Sequence, residues 1–418
     1  MNINLDSLFL DLQLDSFEKI KEKFSNPDYT ILEDDKIFLI RQNNQSTSRA
    51  SEILQNGSHI YIKDGLKYIT SFNKIRYIND DAKKYIAENE DKWDEFIIQQ
   101  SFEGPCVQVF NYDDKWYVCN EDSLSCSNVY GNSSKTVLEY FTDTGKCDFN
   151  KLNKNICYHF ILLHNKLKHI VQYNNLGYDF KELVLLKSVE NNIIIDNSDT
   201  ELFIKPIIYH FSCFDELEAT LEKITYDNAV YRRISTEGYL ISHNGILLKL
   251  QTEIYSQINI LKPLEKNNYQ VFLELYQKDK LNDVLPYISK YSNEIIHRIN
   301  MSMRTLSREI LNIYHTTRKK KNCNVYDSLP DNYKKILYGI HGNYIKGRKR
   351  DFINGREIEG KDTKSITVHD IYYYLKSLPP NQLRQIYFDR IDVMKNAVLV
   401  AHINFNCIYS LTQARLMA

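Results

Sequence analysis

The sequence predicts an α+β protein, with an antiparallel, β-rich part over residues 1–265 and an all-helical part over 266–418. Three observations carry this. Between Ser58 and about Tyr255, short β-type runs flank the turn sequences Asp64-Gly65, Asp113-Asp114-Lys115 and His243-Asn244-Gly245, which is hairpin chemistry. After Pro263 the apolar period changes to that of a helix. Glycine and proline number only 13 and 8 in 418 residues, too few for a collagen-like or linker-like chain, so most of it should be ordered.

The elements follow in order. Leu8, Leu12, Phe17 and Ile20 stand near helical spacing and predict a helix from Asp6 to about Phe24, and KIFLIRQ after it reads as a strand. HIYIKDGLKYIT, CVQVFNYDDKWYVCN, HIVQY, ELVLLKSVENNIIID and GYLISHNGILLKLQ read as strands, several of them paired as hairpins. Over 292–317, Ile295, Ile299, Met303, Leu306, Ile310 and Ile313 step by three or four, so they share one face of a long helix. Further helices are expected at NYKKILYGIHGNYI and at TVHDIYYYLKSL, the latter stopped by Pro379-Pro380, and again from there to about Phe405. No internal repeat is present.

No window approaches the ~18 consecutive apolar residues of a membrane span, and the amino terminus lacks a basic stretch followed by an apolar core. A soluble, non-secreted, cytoplasmic protein is therefore expected. The eight cysteines are dispersed, with no C-x-x-C pair, so reduced structural thiols fit better than a zinc ribbon or a redox motif. His297, His315 and His341 make no metal trio, and no metal site is expected. The net charge of −1 hides an asymmetry: from Arg298 to Arg350 thirteen lysines and arginines face three acids, a net +10 in 53 residues.

Four local signals occur in a telling order: FNKIRYIND at 72–80, QSFEGPCVQVF with the hairpin NYDDKWYVCNEDSLS at 100–125, STEGYLI at 235–241, and LLKLQTEIY at 247–255. In order and spacing they resemble the adenylyltransferase domain of RNA ligases of the T-even phage RNA ligase 1 type, which belong to the covalent nucleotidyltransferases. The resemblance runs from about residue 1 to 260. It implies a β-rich nucleotidyltransferase fold, ATP and Mg²⁺ as co-substrates if activity is retained, and a lysine that attacks the ATP α-phosphate as a neutral amine.

Matched residue by residue, the resemblance puts Ser101 at the nucleophile-lysine position and Glu103 and Gly104 at the acidic and glycine positions that follow it. Glu121, in Asn120-Glu121-Asp122-Ser123, stands where the family carries an arginine. Ile161 or Leu162 replaces a strand carboxylate. Glu237-Gly238-Tyr239 keeps the E-G-Y element, and of the terminal lysine pair Lys249 is kept while Gln251 replaces the other. A serine cannot form the family's phosphoramidate, and Glu121 reverses a charge beside a phosphate site. The fold-marking residues Gly104, Trp116, Gly238 and Tyr255 persist, so the resemblance implies a retained scaffold with a lapsed reaction and no bound cofactor. Lys63, before Asp64-Gly65, and Lys205 are the lysines that could rescue the chemistry; a hairpin-turn lysine and an edge-strand lysine are the plainer readings.

Two basic clusters, Arg318, Lys319, Lys320, Lys321 and Lys346, Arg348, Lys349, Arg350, have Tyr326, Tyr333, Tyr338 and Tyr344 between them. This composition suits a surface that tracks phosphates and stacks unpaired bases. The alternative is a solvated helix end beside core tyrosines. A non-catalytic RNA-binding or assembly protein is expected. The alternatives are an active ATP-dependent RNA ligase using another lysine, and a structural, virion-associated factor whose basic patch faces an acidic protein. Abundant Asn, Ile and Lys suggest an AT-rich genome and, with the resemblance, a large DNA virus; location would then be the host cytoplasm or the virion.

Overall fold

The computed structural model describes residues 9, 12–43, 57–131, 133–190, 193–195, 203–261, 268–288, 292–318, 323–353 and 365–402. The chain divides into two compact units, 1–260 and 261–418. The first is β-rich and the second helical, so the fold is α+β.

Among the described residues, three sheets build the first unit. The first sheet is the antiparallel series β1 (Tyr29–Glu33), β2 (Ile37–Gln42), β3 (Gly57–Ile62) and β4 (Tyr68–Asn73). The second sheet is ordered β11 (Ile193–Ile195), β10 (Lys181–Glu190), β9 (Cys157–His164), β7 (Cys106–Tyr112), β8 (Lys115–Cys119), again antiparallel throughout. The third sheet runs β12 (Ile208–Tyr209), β6 (Ile97–Gln100), β13 (Gly238–His243), β14 (Ile246–Gln251), β5 (Ile75–Ile78). Its β14–β5 pair is parallel, the one departure from the antiparallel expectation among the described strands.

The turns confirm their chemistry. Asp113 and Asp114 both have positive φ, as do Asn244 and Gly245, the backbone that lets a two-residue turn match the strand twist. Every residue of β9 is buried, because both faces of this central strand are covered. Phe160 and Leu162 join Val107, Val109, Leu183 and Leu185 in one core cluster, roofed by α3 (Val137–Asp143). That helix starts at a capping box between Thr136 and Glu139. On the other face Cys157 joins Phe110, Tyr117 and Cys119 against Ile37, Leu39, Ile60 and Phe72 of the first sheet. The third sheet packs Ile98, Tyr239, Ile241, Leu248 and Leu250 against Ala82 and Ile86 of α2 (Asp80–Ala87) and Leu217 and Leu221 of α4 (Phe214–Tyr231). Each such side chain contributes roughly 1.5–3 kcal/mol by leaving water.

Three sequence expectations need correction. The helix expected from Asp6 to Phe24 is not continuous: among the described residues Phe9 is helical and residues 12–16 are not. A new helix, α1 (Phe17–Lys23), starts where Ser16 is extended and its hydroxyl accepts from the Lys19 N–H as an N-cap. HIVQY is not a strand; its amides serve a carboxylate, as described below. The 18-residue α4 sits where only strands and turns were expected.

α5 (Glu253–Asn259) closes the first unit. The second holds α6 (Asn268–Gln277), α7 (Leu281–Ile288), α8 (Ser292–Thr317), α9 (Cys323–Asp327), α10 (Asp331–Ile353), α11 (Val368–Lys376), α12 (Pro380–Lys395) and α13 (Ala397–His402). The six apolar residues predicted to share one face of α8 are all buried. α8 and α12 are joined by a buried fork: the Arg390 guanidinium donates to both oxygens of Glu309, each at 2.8 Å. Among the described residues no helix is long and apolar enough to cross a membrane.

Candidate active site

Glu237, at the foot of β13, is buried and receives three donors. Its Oε2 accepts from the Ser101 hydroxyl at 2.8 Å. Its Oε1 accepts from Lys249 Nζ at 2.8 Å and from Gln251 Nε2 at 2.9 Å. Strand pleat explains the convergence: Lys249 and Gln251 are two apart on β14, so both point to one face, and Gly238 pairs directly with Gln251. Ser101 follows β6 and is tied to the same strand by its N–H, which donates to the Gly238 carbonyl. Gly238 has φ +140°, and a Cβ there would lie 2.0 Å from the Leu250 carbonyl oxygen, so only glycine allows this approach.

Two residues beyond Ser101, Glu103 is buried and answers a different set of donors. Its Oε2 accepts the Ile170 and Val171 N–H groups at 2.7 and 2.8 Å. Its backbone N–H donates to the Tyr173 hydroxyl at 2.7 Å. This is where the Ile170 and Val171 amides of HIVQY go, while the Gln172 N–H donates to the Ile234 carbonyl, and why that segment makes no ladder. Burial pushes the Glu103 carboxyl up to about 7, outweighing the two amides that hold it down. Gly104 then passes so close to β9 that a Cβ would meet the Leu162 carbonyl oxygen at 2.4 Å.

The remaining wall is the face of the second sheet bearing Cys106 and Ile161, which pair across β7 and β9. Cys106 as a whole is exposed, yet its thiol is hemmed in enough to be pushed up to about 11, and it feels Glu121, Lys249, Glu237 and Lys187 together. The strand register also separates the two residues at the position where the resemblance expects a carboxylate. Leu162 joins the core cluster, and Ile161 pairs with Cys106 on the other face.

The structure therefore brings Ser101, Glu103, Gly104, Glu237 and Lys249 into one place. Glu121 stands at its edge, where burial and Asp122 raise its carboxyl above the ordinary range while Arg41 and Lys74 oppose the shift. A guanidinium does reach that turn from β2, since Arg41 donates to the Glu121 carbonyl at 3.0 Å and to Asp122. Lys63 is not part of the site: its amine pairs with Glu33 at 3.2 Å and lies over the Phe17 ring. Lys205 is exposed in the segment before β12. Sequence reasoning missed Asn79, the hinge of the arrangement. Its side chain accepts from the Gln251 N–H at 2.9 Å and donates to Ser256, and its own N–H donates to the Lys249 carbonyl. The Asn-Asp ending of FNKIRYIND was the available signal.

In the helical unit, Arg318 lies over the Tyr314 ring at 5.0 Å from its centroid. Lys319, Lys320 and Lys321 lie outside the described residues. Lys346, Arg348, Lys349 and Arg350 are on α10; the side chains of the last three are outside the description. Tyr333 is core, at 1% exposure, whereas Tyr338 is 80% and Tyr326 41% exposed. Lys335, Tyr338 and Lys346 point outward from the same helix. Among the described residues no group of three or more His, Cys, Asp or Glu side chains could hold a metal ion.

No family model and no curated protein matches the chain. It is similar to a putative ATP-dependent DNA ligase from Aquifex aeolicus, at 14% identity over 65% of this chain and 70% of that one, with a TM-score of 0.41. An archaeal ATP-dependent RNA ligase gives 11% identity over 66% and 72%, TM-score 0.42. A Naegleria gruberi RNA ligase with PPi gives 12% over 51% and 68%, TM-score 0.30. These three solved structures are described as ligases. At such identities and scores the chemistry has to be read from this chain's own residues.

The hydroxyl of Ser101 is already donated to Glu237, and the ammonium of Lys249 is taken by the same carboxylate.

Proposed function

We propose that this chain is an RNA-ligase-like protein of degenerate type, which binds RNA without transferring a nucleotide. The observation that carries the reading is the closed network at Glu237. Ser101 sits where the resemblance places a lysine, and its hydroxyl, Lys249 and Gln251 satisfy Glu237 between them. No neutral amine stands at that position to attack phosphorus. The scaffold residues Gly104, Glu103 and Gly238 are kept, so what has gone is the reacting group and the free cation beside it.

RNA as the partner rests on the net +10 between residues 298 and 350, on the exposed Tyr326 and Tyr338 and on the exposed Lys335 and Lys346 of the helix that carries Tyr338. Lysines and arginines bind the phosphate backbone by releasing counterions, and exposed tyrosines stack on unpaired bases.

The test is incubation of the full chain with α-labelled ATP and Mg²⁺, followed by denaturing electrophoresis. No labelled protein band is expected. An acid-labile adduct of near-stoichiometric intensity would overturn the non-catalytic reading, and its loss in Lys63→Ala or Lys205→Ala would locate the amine.

A further inference from the structure

We propose that the cavity between α10 and α11 binds an alkylated ammonium group, of the kind carried by choline or by a methylated lysine side chain. The inference lies outside the Glu237 site and does not rest on the reading of that site.

Shape is the first argument. The cavity has a volume of about 630 Å³, within the range of ordinary small-molecule sites. Ile340 and Ile366, both buried, give it an apolar part, and Tyr344, Tyr373 and Tyr374 line it. Two glycines of α10 make the room. At Gly339 a Cβ would stand 1.9 Å from the Tyr374 hydroxyl oxygen, so only a bare backbone lets that ring lie against the helix. Gly347 lines the cavity, and a Cβ there would meet nothing within 4 Å. Glycine inside a helix is disfavoured relative to alanine. At Gly339 the packing of the ring accounts for it; at Gly347 no packing does, and the space it leaves open is the cavity's own.

Charge is the second argument. Among the described residues that line the cavity, Asp370 is the one that carries a charge. Its Oδ2 accepts the Thr367 N–H at 2.8 Å and the Thr367 hydroxyl at 2.7 Å, which fixes the carboxylate at the start of α11 before any ligand arrives. The positive end of that helix amounts to roughly half a charge, so the carboxylate leaves the site net negative. A phosphate is disfavoured there and a cation favoured. Lys346 of α10 is exposed and is not among the lining residues, so solvent screens it from the site. The tyrosines narrow the choice of cation. Their ring faces attract a positive charge, and an ammonium clothed in methyl groups gives up less hydration than a bare one and packs its methyls on the rings. Tyr373 is prepared for this: His369 and Tyr372 brace its ring at near right angles, with centroids 4.5 and 5.4 Å away, while 54% of the residue stays exposed.

The group could sit on a free small molecule or on a protein side chain, and probes on the full-length chain separate the two. They are choline, its neutral carbon isostere dimethylbutanol, a short trimethyllysine peptide, the same peptide with unmodified lysine, and guanosine, with ligand-observed NMR reading the binding. Choline should bind about tenfold or more tighter than the neutral isostere. Tighter binding of choline than of either peptide assigns the site to a small molecule, and preference for the trimethyllysine peptide over choline and over unmodified lysine assigns it to a protein. Tyr373→Leu, at a largely exposed position, should weaken choline binding by about fivefold or more, whereas Tyr373→Phe should retain most of it. Gly347→Leu fills the cavity with a helix-favouring residue, so it should abolish binding without lowering the melting temperature. Equal affinity for choline and its isostere, no binding of either methylated probe, unchanged affinity in Tyr373→Leu, or binding or a lowered melting temperature in Gly347→Leu would each overturn the proposal. Guanosine binding more tightly than choline would overturn it too, by making the cavity a nucleobase pocket.

Discussion

Glu237 holds three donors on two oxygens, and this decides what restoring the lysine can do. In Ser101→Lys the new amine would face that carboxylate, and an adjacent carboxylate stabilises ammonium over the neutral amine that attack requires. Ile161 and Gln251 would still lack the groups of the active pattern, and catalytic groups that act as a unit do not return one at a time. The expected outcome is neither adduct nor joined strands when Ser101→Lys is given labelled ATP and 5′-phosphorylated RNA; robust joining would show the site to be far less degenerate. Glu103 carries a second residue-scale prediction. Its carboxyl is raised from 4.5 to about 7 by burial, so the folded chain keeps a proton that the unfolded chain releases. The stabilisation is fully present below pH 4.5 and is lost as pH rises through 7, a change on the order of 3 kcal/mol. Glu103→Gln keeps an acceptor for the two amides and cannot ionise. Denaturation midpoints between pH 5 and 8 should therefore fall less steeply with pH in Glu103→Gln than in the wild type; parallel curves would mean the carboxyl does not titrate in that window.

The β13–β14 hairpin is the element that assembles the site, because it carries Glu237's neighbour Gly238 opposite Gln251. Gly238→Ala would place a methyl 2.0 Å from a carbonyl oxygen in a backbone of φ +140°. Neither strand can retreat without losing Tyr239, Ile241, Leu248 and Leu250 from the core. The expected loss is about 3 kcal/mol or more, read from chemical denaturation; a change below about 1 kcal/mol would mean the hairpin shifts freely. Elements of this kind were legible in the sequence because the information is local. Asp113-Asp114 and Asn244-Gly245 adopt the positive φ their turns require, and the stripe on α8 needs only its own spacing. What could not be read depends on distant partners. HIVQY has a strand's composition, but Glu103 claims its amides. α4 buries only Leu217, Leu221 and Asn228, too thin a stripe to announce a helix among strands. Gln251 breaks the lysine pair in the sequence, and only the fold brings Asn79 and Glu237 to hold it. The register shift between Leu185 and Lys187 on β10 leaves no mark on the sequence at all.

Over the whole molecule, charge is divided as sharply as secondary structure. The net −1 is the sum of +10 over residues 298–350 and −11 elsewhere, so any polyanion should be drawn to the helical unit rather than to the chain at large. If the clusters at 318–321 and 346–350 contact phosphates, affinity for single-stranded RNA should fall steeply as salt rises, with a log–log slope near ~0.7 per phosphate neutralised. Replacing Arg318, Lys319, Lys320 and Lys321 together by glutamine should then flatten that slope by roughly two to three units. All sequences should weaken about equally, since contacts to phosphate carry no base information. Arg318 also covers the Tyr314 ring, so a control with Arg318 alone replaced separates a packing loss, which would lower the melting temperature, from a charge loss, which would change the slope. A quadruple variant with unchanged affinity and unchanged slope would place RNA elsewhere on the molecule, and the basic segment would then have to answer to an acidic protein.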